Sequence, residues 1–239
     1  GPSPRPLVVV IHGGFWRAEY DRTHTGPLAA DLAARGWPVA QIEYRRTGQP
    51  GGGWPGTFDD VAAAVTAAGT HAESLVPPDQ LAKGPPILLG HSAGGHLALW
   101  YATVAPEGAR GVLALAPVAD LAQAYRLDLD GGAVAALLGG GPDELPERYA
   151  ATDPQQMRPI SLPTVIIHGA LDQQVPLAFS RSYQARNAAK GAKIQLIELP
   201  KCEHFGLIDP QSAAWSVVTT ALHSLTWGSR TIDAPSPRQ

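Results

Sequence analysis

The chain has 239 residues, 44% of them hydrophobic, which is enough for a sizeable buried core. Its 18 basic and 21 acidic residues leave a net charge of −3 and no basic stripe, which argues against nucleic acid or an anionic membrane as a partner. The single cysteine, Cys202, excludes an internal disulfide and suits a reducing, cytoplasmic setting, and no apolar run reaches the length of a membrane span.

Gly1-Pro2 has the form of a protease-cleavage remnant, and the first apolar run, 7–11, leads into a glycine turn rather than a signal-peptide cleavage site. That run reads as a strand, and the turn after it is His12-Gly13-Gly14-Phe15-Trp16. Leu28, Leu32 and Ala33 mark a helix that stops at Gly36. A second strand covers 39–44, and Thr57 with Asp60 forms a cap-like pair ahead of Val61, Val65 and Ala68. Strands follow at 86–89 and 111–116, with an apolar helical run, 97–104, between them. Residues 120–163 break the rhythm with Gly139-Gly140-Gly141-Pro142 and with Pro154, Pro159 and Pro163. They read as a small cap-like insertion over the C-terminal edge of the sheet, with short helices such as 133–138. Strands at 164–168 and 193–199 flank a helix carrying Phe179 and Tyr183, and Asp209-Pro210 is expected to start the last helix. Most of these runs lack polar alternation, as parallel strands covered on both faces do. The pattern predicts an α/β fold with a mostly parallel, doubly wound sheet, one domain over 1–227, and a disordered tail over 228–239.

Chemistry concentrates at Gly90-His91-Ser92-Ala93-Gly94, set between a strand and a helix as a nucleophile elbow requires. Serine needs a base within reach, and the base needs an orienting acid. In this architecture the order is serine, acid, histidine, on loops after successive strands. Asp172 follows the strand 164–168 and His204 follows 193–199, so Ser92, Asp172 and His204 are the candidate catalytic residues. Asp120 is a competing acid, and Glu203 is expected to be solvated. The candidate oxyanion hole consists of the N–H groups of Gly14, Phe15 and Ala93. Phe15, Trp16 and Phe205 adjoin the reacting groups and are candidate pocket walls. His12 is expected to brace the oxyanion loop, His96 and His168 to be satisfied core residues, and His24, His71 and His223 to lie on surfaces or helix faces. No histidine pair has zinc-helix spacing, so neither a metal nor another cofactor is expected.

His12-Gly13-Gly14-Phe15-Trp16, Gly90-His91-Ser92-Ala93-Gly94-Gly95 and His204-Phe205 together resemble the α/β-hydrolase fold. More narrowly they resemble the kynurenine formamidase (arylformamidase) branch, near the hormone-sensitive-lipase-like esterases. Glu43-Tyr44-Arg45, Trp54-Pro55 and Asp59-Asp60 fit the same branch. The resemblance implies a cofactor-independent serine hydrolase that cleaves a small-molecule ester or amide, with an aryl formamide as the leading substrate. A carboxylesterase for short-acyl or specialised-metabolite esters is the rival. A non-hydrolytic binding protein on the same fold and a prolyl-oligopeptidase-type peptidase are further alternatives. The insertion falls after the sixth strand of the family pattern. The hairpin that usually precedes the first parallel strand is missing, and an open sheet edge there could support a homodimer.

Overall fold

The structure is a computed structural model that describes residues 3–226; the tail expected to be disordered, 228–239, lies outside the described residues. Six strands form one parallel sheet in the order β2-β1-β3-β4-β5-β6. They are β1 Val8–Ile11, β2 Val39–Ile42, β3 Ile87–His91, β4 Gly111–Leu115, β5 Thr164–Gly169 and β6 Ile194–Leu199. The sheet covers the six runs read from the sequence. Strand order reverses between β1 and β3, which opens a crevice at the carboxyl ends of those strands.

Successive side chains point to opposite faces. Val9, Ile11, Leu88, Val112 and Ile166 enter one core with α2 (Gly56–Leu75), α3 (Ala93–Val104) and α7 (Leu177–Ala188). Val8, Val10, Ile87, Leu89, Leu113 and Ile167 enter the other, beneath α1 (Gly26–Ala34) and α8 (Trp215–Ser224). Helix α3 is apolar all round and buried from Ala93 to Thr103, as a helix pressed between a sheet and further helices must be.

Residues 120–163 form three short helices, α4 Leu121–Arg126, α5 Ala133–Leu138 and α6 Pro146–Thr152, between β4 and β5. Buried Asp153 ties this insertion together. Its carboxylate accepts from the N–H groups of Leu121 (3.0 Å) and Ala122 (3.1 Å) at the start of α4, and from Gln155 N–H (3.1 Å) and Gln156 Nε2 (3.1 Å).

Three local readings are corrected. The last helix starts at Trp215, not at Asp209, because Asp209 accepts from Gln211 N–H at 2.8 Å and turns the chain before the helix can begin. Thr57 and Asp60 lie inside α2 and cap nothing; they hold the Arg45 segment, Thr57 Oγ1 on its carbonyl and Asp60 on its guanidinium at 2.8 Å. Ala33 is exposed, and α1 buries Leu28, Ala29 and Leu32 instead.

Candidate active site

The elbow is built by close approach. Ser92 sits at φ +57° and ψ −119° between β3 and α3. A Cβ on Gly94 would lie 2.0 Å from the Ile11 carbonyl oxygen, and one on Gly90 would lie 2.2 Å from the Gly94 carbonyl oxygen. Only glycine fits at either position, so β1, β3 and α3 can converge on the serine. A non-glycine residue at such a φ costs about 1–3 kcal/mol and persists only where its surroundings over-determine it. Here the Ser92 N–H donates to the Leu115 carbonyl at 2.8 Å, and the Ser92 carbonyl accepts from His96 N–H at 3.0 Å.

His204 donates from Nδ1 to Asp172 Oδ2 at 2.6 Å, which leaves Nε2 free to act as a base. The Asp172 carboxylate has no side-chain exposure. Its other oxygen accepts from Gln174 N–H (2.8 Å) and Val175 N–H (2.9 Å). Burial pushes this carboxyl up, but bonds from His168 and His204 outweigh burial and hold it well below the usual carboxylate range. Buried His168 is fixed in turn by Ser180 Oγ (2.7 Å) and the Val175 carbonyl (3.0 Å). The competing acids are engaged elsewhere. Asp120 caps α4 through Gln123 N–H at 2.8 Å, and Glu203 accepts from Phe205 N–H at 2.9 Å.

His91, directly before Ser92, links serine and base. Its Nε2 donates to the His204 carbonyl at 3.1 Å, and the two rings lie 4.5 Å apart. Burial, then the neighbouring His204, push its pKa well below the ordinary histidine value. Among the described residues there is no direct hydrogen bond between Ser92 and His204, a contact that often tightens only with substrate bound.

The loop after β1 carries three successive positive φ values: Gly14 at +100°, Phe15 at +46° and Trp16 at +58°. Among the described residues, no protein acceptor takes the N–H groups of Gly14, Phe15 or Ala93. The loop is braced from below. Buried His12 bonds the Gly13 carbonyl (2.8 Å) and Glu43 (2.7 Å), and Tyr44 stacks on it at 4.4 Å while donating to its carbonyl at 2.9 Å.

The three aromatic candidates fare differently. Phe205 is 47% exposed beside His204, with ring centroids 5.1 Å apart. Phe15 is only 8% exposed. Trp16 is fully buried, so the structure does not place it on a ligand-facing wall. Its indole N–H donates to His96 Nδ1 at 3.2 Å, and the ring is consumed in packing. Two further rings stand beside Phe205: Tyr20, which carried no signal in the sequence, and His24. Tyr20 is 47% exposed, and half-buried His24 lies 5.9 Å from Tyr20 and 6.0 Å from Phe205. His24 lies half-buried on the single helical turn Arg22–Thr25 and joins this ring cluster. Cys202 has its thiol pushed up to about 11, by burial and then by Glu203 and Asp172, so it is no thiolate nucleophile at neutral pH. No cluster of three or more His, Cys, Asp or Glu side chains suited to a metal ion occurs among the described residues. No helix among them is long and apolar enough to cross a membrane.

Residues 1–186 match the BD-FAE family. The chain is 25% identical over 226 residues to Esterase LipC of Mycobacterium tuberculosis (strain ATCC 25618 / H37Rv), covering 87% of this chain and 55% of that protein. It therefore spans about half the length of that relative. Among solved structures, a truncated carbohydrate esterase from gut microbiota superposes with a TM-score of 0.76 at 17% identity, over 94% of this chain and 87% of that one. An acetyl ester-xyloside bifunctional hydrolase from Caldicellulosiruptor lactoaceticus gives 0.73 at 22% identity, over 94% and 84%. The parallel six-stranded sheet with its helices is the α/β-hydrolase fold of these proteins.

Proposed function

The chain belongs to the BD-FAE family, and from that premise we propose that it is a serine hydrolase of carboxylic esters. The observation that carries this reading is the 2.6 Å bond from His204 Nδ1 to buried Asp172, beside a serine in a strained elbow. In the mechanism, His204 Nε2 takes the Ser92 proton as Oγ attacks the ester carbonyl carbon. The carbonyl π electrons move to oxygen, and that oxyanion accepts from the N–H groups of Gly14, Phe15 and Ala93. Asp172 steadies the imidazolium. His204 then protonates the leaving alcohol as its bond to the acyl carbon breaks. Water, deprotonated by the same nitrogen, attacks the acyl carbon; the bond from that carbon to Ser92 Oγ breaks, His204 returns the proton to Oγ, and the acid leaves.

The esterase LipC and the two structural neighbours, a carbohydrate esterase and an acetyl ester-xyloside hydrolase, favour esters. The ring rim of Tyr20, His24 and Phe205 supports a second reading, in which an aryl formamide is cleaved and an aryl amine leaves. A flat leaving group suits exposed ring faces in either case.

A fluorophosphonate probe is expected to label the wild type and not Ser92→Ala, which should lose at least about 10⁴-fold in kcat. Equal labelling of the variant would refute the assignment. Turnover of p-nitrophenyl esters over aryl formamides supports the ester reading, and the reverse order supports the formamide reading. Probe binding with no turnover of any substrate would indicate a binding protein on the hydrolase fold.

A further inference from the structure

His96 lies at the meeting point of three parts of the site and is used by none of the steps above. It stands one turn into α3 from the nucleophile, where its backbone N–H bonds the Ser92 carbonyl at 3.0 Å. Its Nδ1 accepts the Trp16 indole N–H at 3.2 Å. Its Nε2 therefore carries the proton and donates to the Thr152 carbonyl at 2.9 Å, at the C-terminal end of α6 within the insertion. The imidazole is fully buried, with Trp16 and Phe58 edge-on to it at 5.2 and 5.9 Å.

We propose that His96 is a positioning residue that fixes the oxyanion loop, through Trp16, to the insertion, through Thr152. Backbone strain and hydrogen-bond satisfaction act together here. Phe15 and Trp16 hold φ values that L-residues rarely adopt, so the loop needs external restraint to keep them. The Trp16 backbone carbonyl is held by Thr47, through N–H at 2.8 Å and Oγ1 at 3.0 Å, and its indole by His96. With both ends of Trp16 fixed, the Phe15 N–H just before it keeps its direction. Breaking the indole bond would strand a buried donor and a buried acceptor, so the arrangement has few alternatives. Burial pushes the His96 pKa down to about 4, so the ring stays neutral at neutral pH and Nδ1 keeps the lone pair that accepts from Trp16. A second tie runs outside. Arg17, directly after Trp16, pairs with Asp130 and donates to the Gly131 carbonyl at 3.0 Å in the insertion. The insertion thus sets the geometry of the oxyanion hole as well as covering ground near the site.

The catalytic consequence rests on the hydrolase reading. Trp16→Phe removes the indole N–H together with one ring of the bicycle. It is expected to lower kcat about tenfold with KM within about twofold, as loss of an interaction made only in the transition state does. Affinity for an aryl trifluoromethyl ketone, whose adduct with Ser92 places an oxyanion in the hole, should fall by the same factor. In a His96→Leu background the Trp16→Phe change should have a clearly smaller effect, because the acceptor is already gone and only the loss of packing remains. Melting temperatures taken alongside identify any variant that has lost its fold, and the comparison is made among those that keep it. An active wild type whose Trp16→Phe variant keeps full kcat and full ketone affinity overturns the proposal. So do additive effects in the double variant. A wild type that turns over no ester or formamide overturns the hydrolase reading, and the catalytic role of His96 falls with it.

Discussion

The loops after β1 and after β6 converge on Ser92 but are held in different ways. The first is locked: His12, Tyr44, Glu43, Thr47 and His96 restrain it, and Trp16 is fully buried. The second is tied at His204, by Nδ1 on Asp172 and by its carbonyl on His91 Nε2, and leaves Phe205 47% exposed one residue later. A hole that must meet a developing charge cannot afford to move. A wall that receives a substrate can be open and adaptable. On this view the β1 loop supplies rate and the rim around Phe205 supplies choice of substrate.

The comparison is broken most severely at the base. Asp172→Asn keeps the shape but no longer fixes the His204 tautomer, and on the proposed role kcat should fall about 10⁴-fold. Steady-state kinetics on a p-nitrophenyl ester measures this, and a loss below about tenfold would remove Asp172 from the triad. Changing the rim sharpens the contrast. Phe205→Ala should act on KM, by a few-fold for substrates with a flat leaving group and hardly at all for methyl esters. A uniform drop in kcat instead would place Phe205 with the locked elements.

The smallest effect expected concerns stability in the insertion. Burial, then the nearby Asp120 charge, push Asp153 up to about 6 from 3.8, against the pull of its N–H donors. With the folded-state value raised, the native state binds this proton more tightly than the unfolded chain does. The Asp153 contribution to stability is therefore fully present below the unfolded value and lost as pH rises through the folded one. Denaturant titrations of the wild type and Asp153→Asn between about pH 4 and 7 should differ in slope, with the wild type losing stability relative to the variant as pH rises. Parallel curves would contradict this.

The strands and the elbow could be read from the chain because their signals are local. Unbroken apolar runs mark parallel strands, and glycines mark the close approach around Ser92. Strand order also placed Asp172 and His204 on neighbouring loops, and they lie 2.6 Å apart. The Glu43-Tyr44-Arg45 and Asp59-Asp60 segments, noted only as a likeness, prove to brace the oxyanion loop and the Arg45 segment. The contacts of Trp16 were not legible, because its partner is 80 residues away and that partner's own acceptor a further 56. One signal was available. A histidine within the apolar run of α3 must be buried, and a buried imidazole must have partners. Sequence alone does not say which partners those are. The ring cluster of Tyr20, His24 and Phe205 has the same character, since it joins segments brought together only by the sheet.

The central claim is that Ser92 carries the acyl group between two steps. Its most direct test is to quench wild-type protein in acid during turnover of p-nitrophenyl acetate and map the modified peptide by mass spectrometry. An acetyl group on Ser92 is expected, accumulating in a burst that His204→Ala abolishes. Turnover with Ser92 unmodified, or with the acetyl group on another residue, would contradict it.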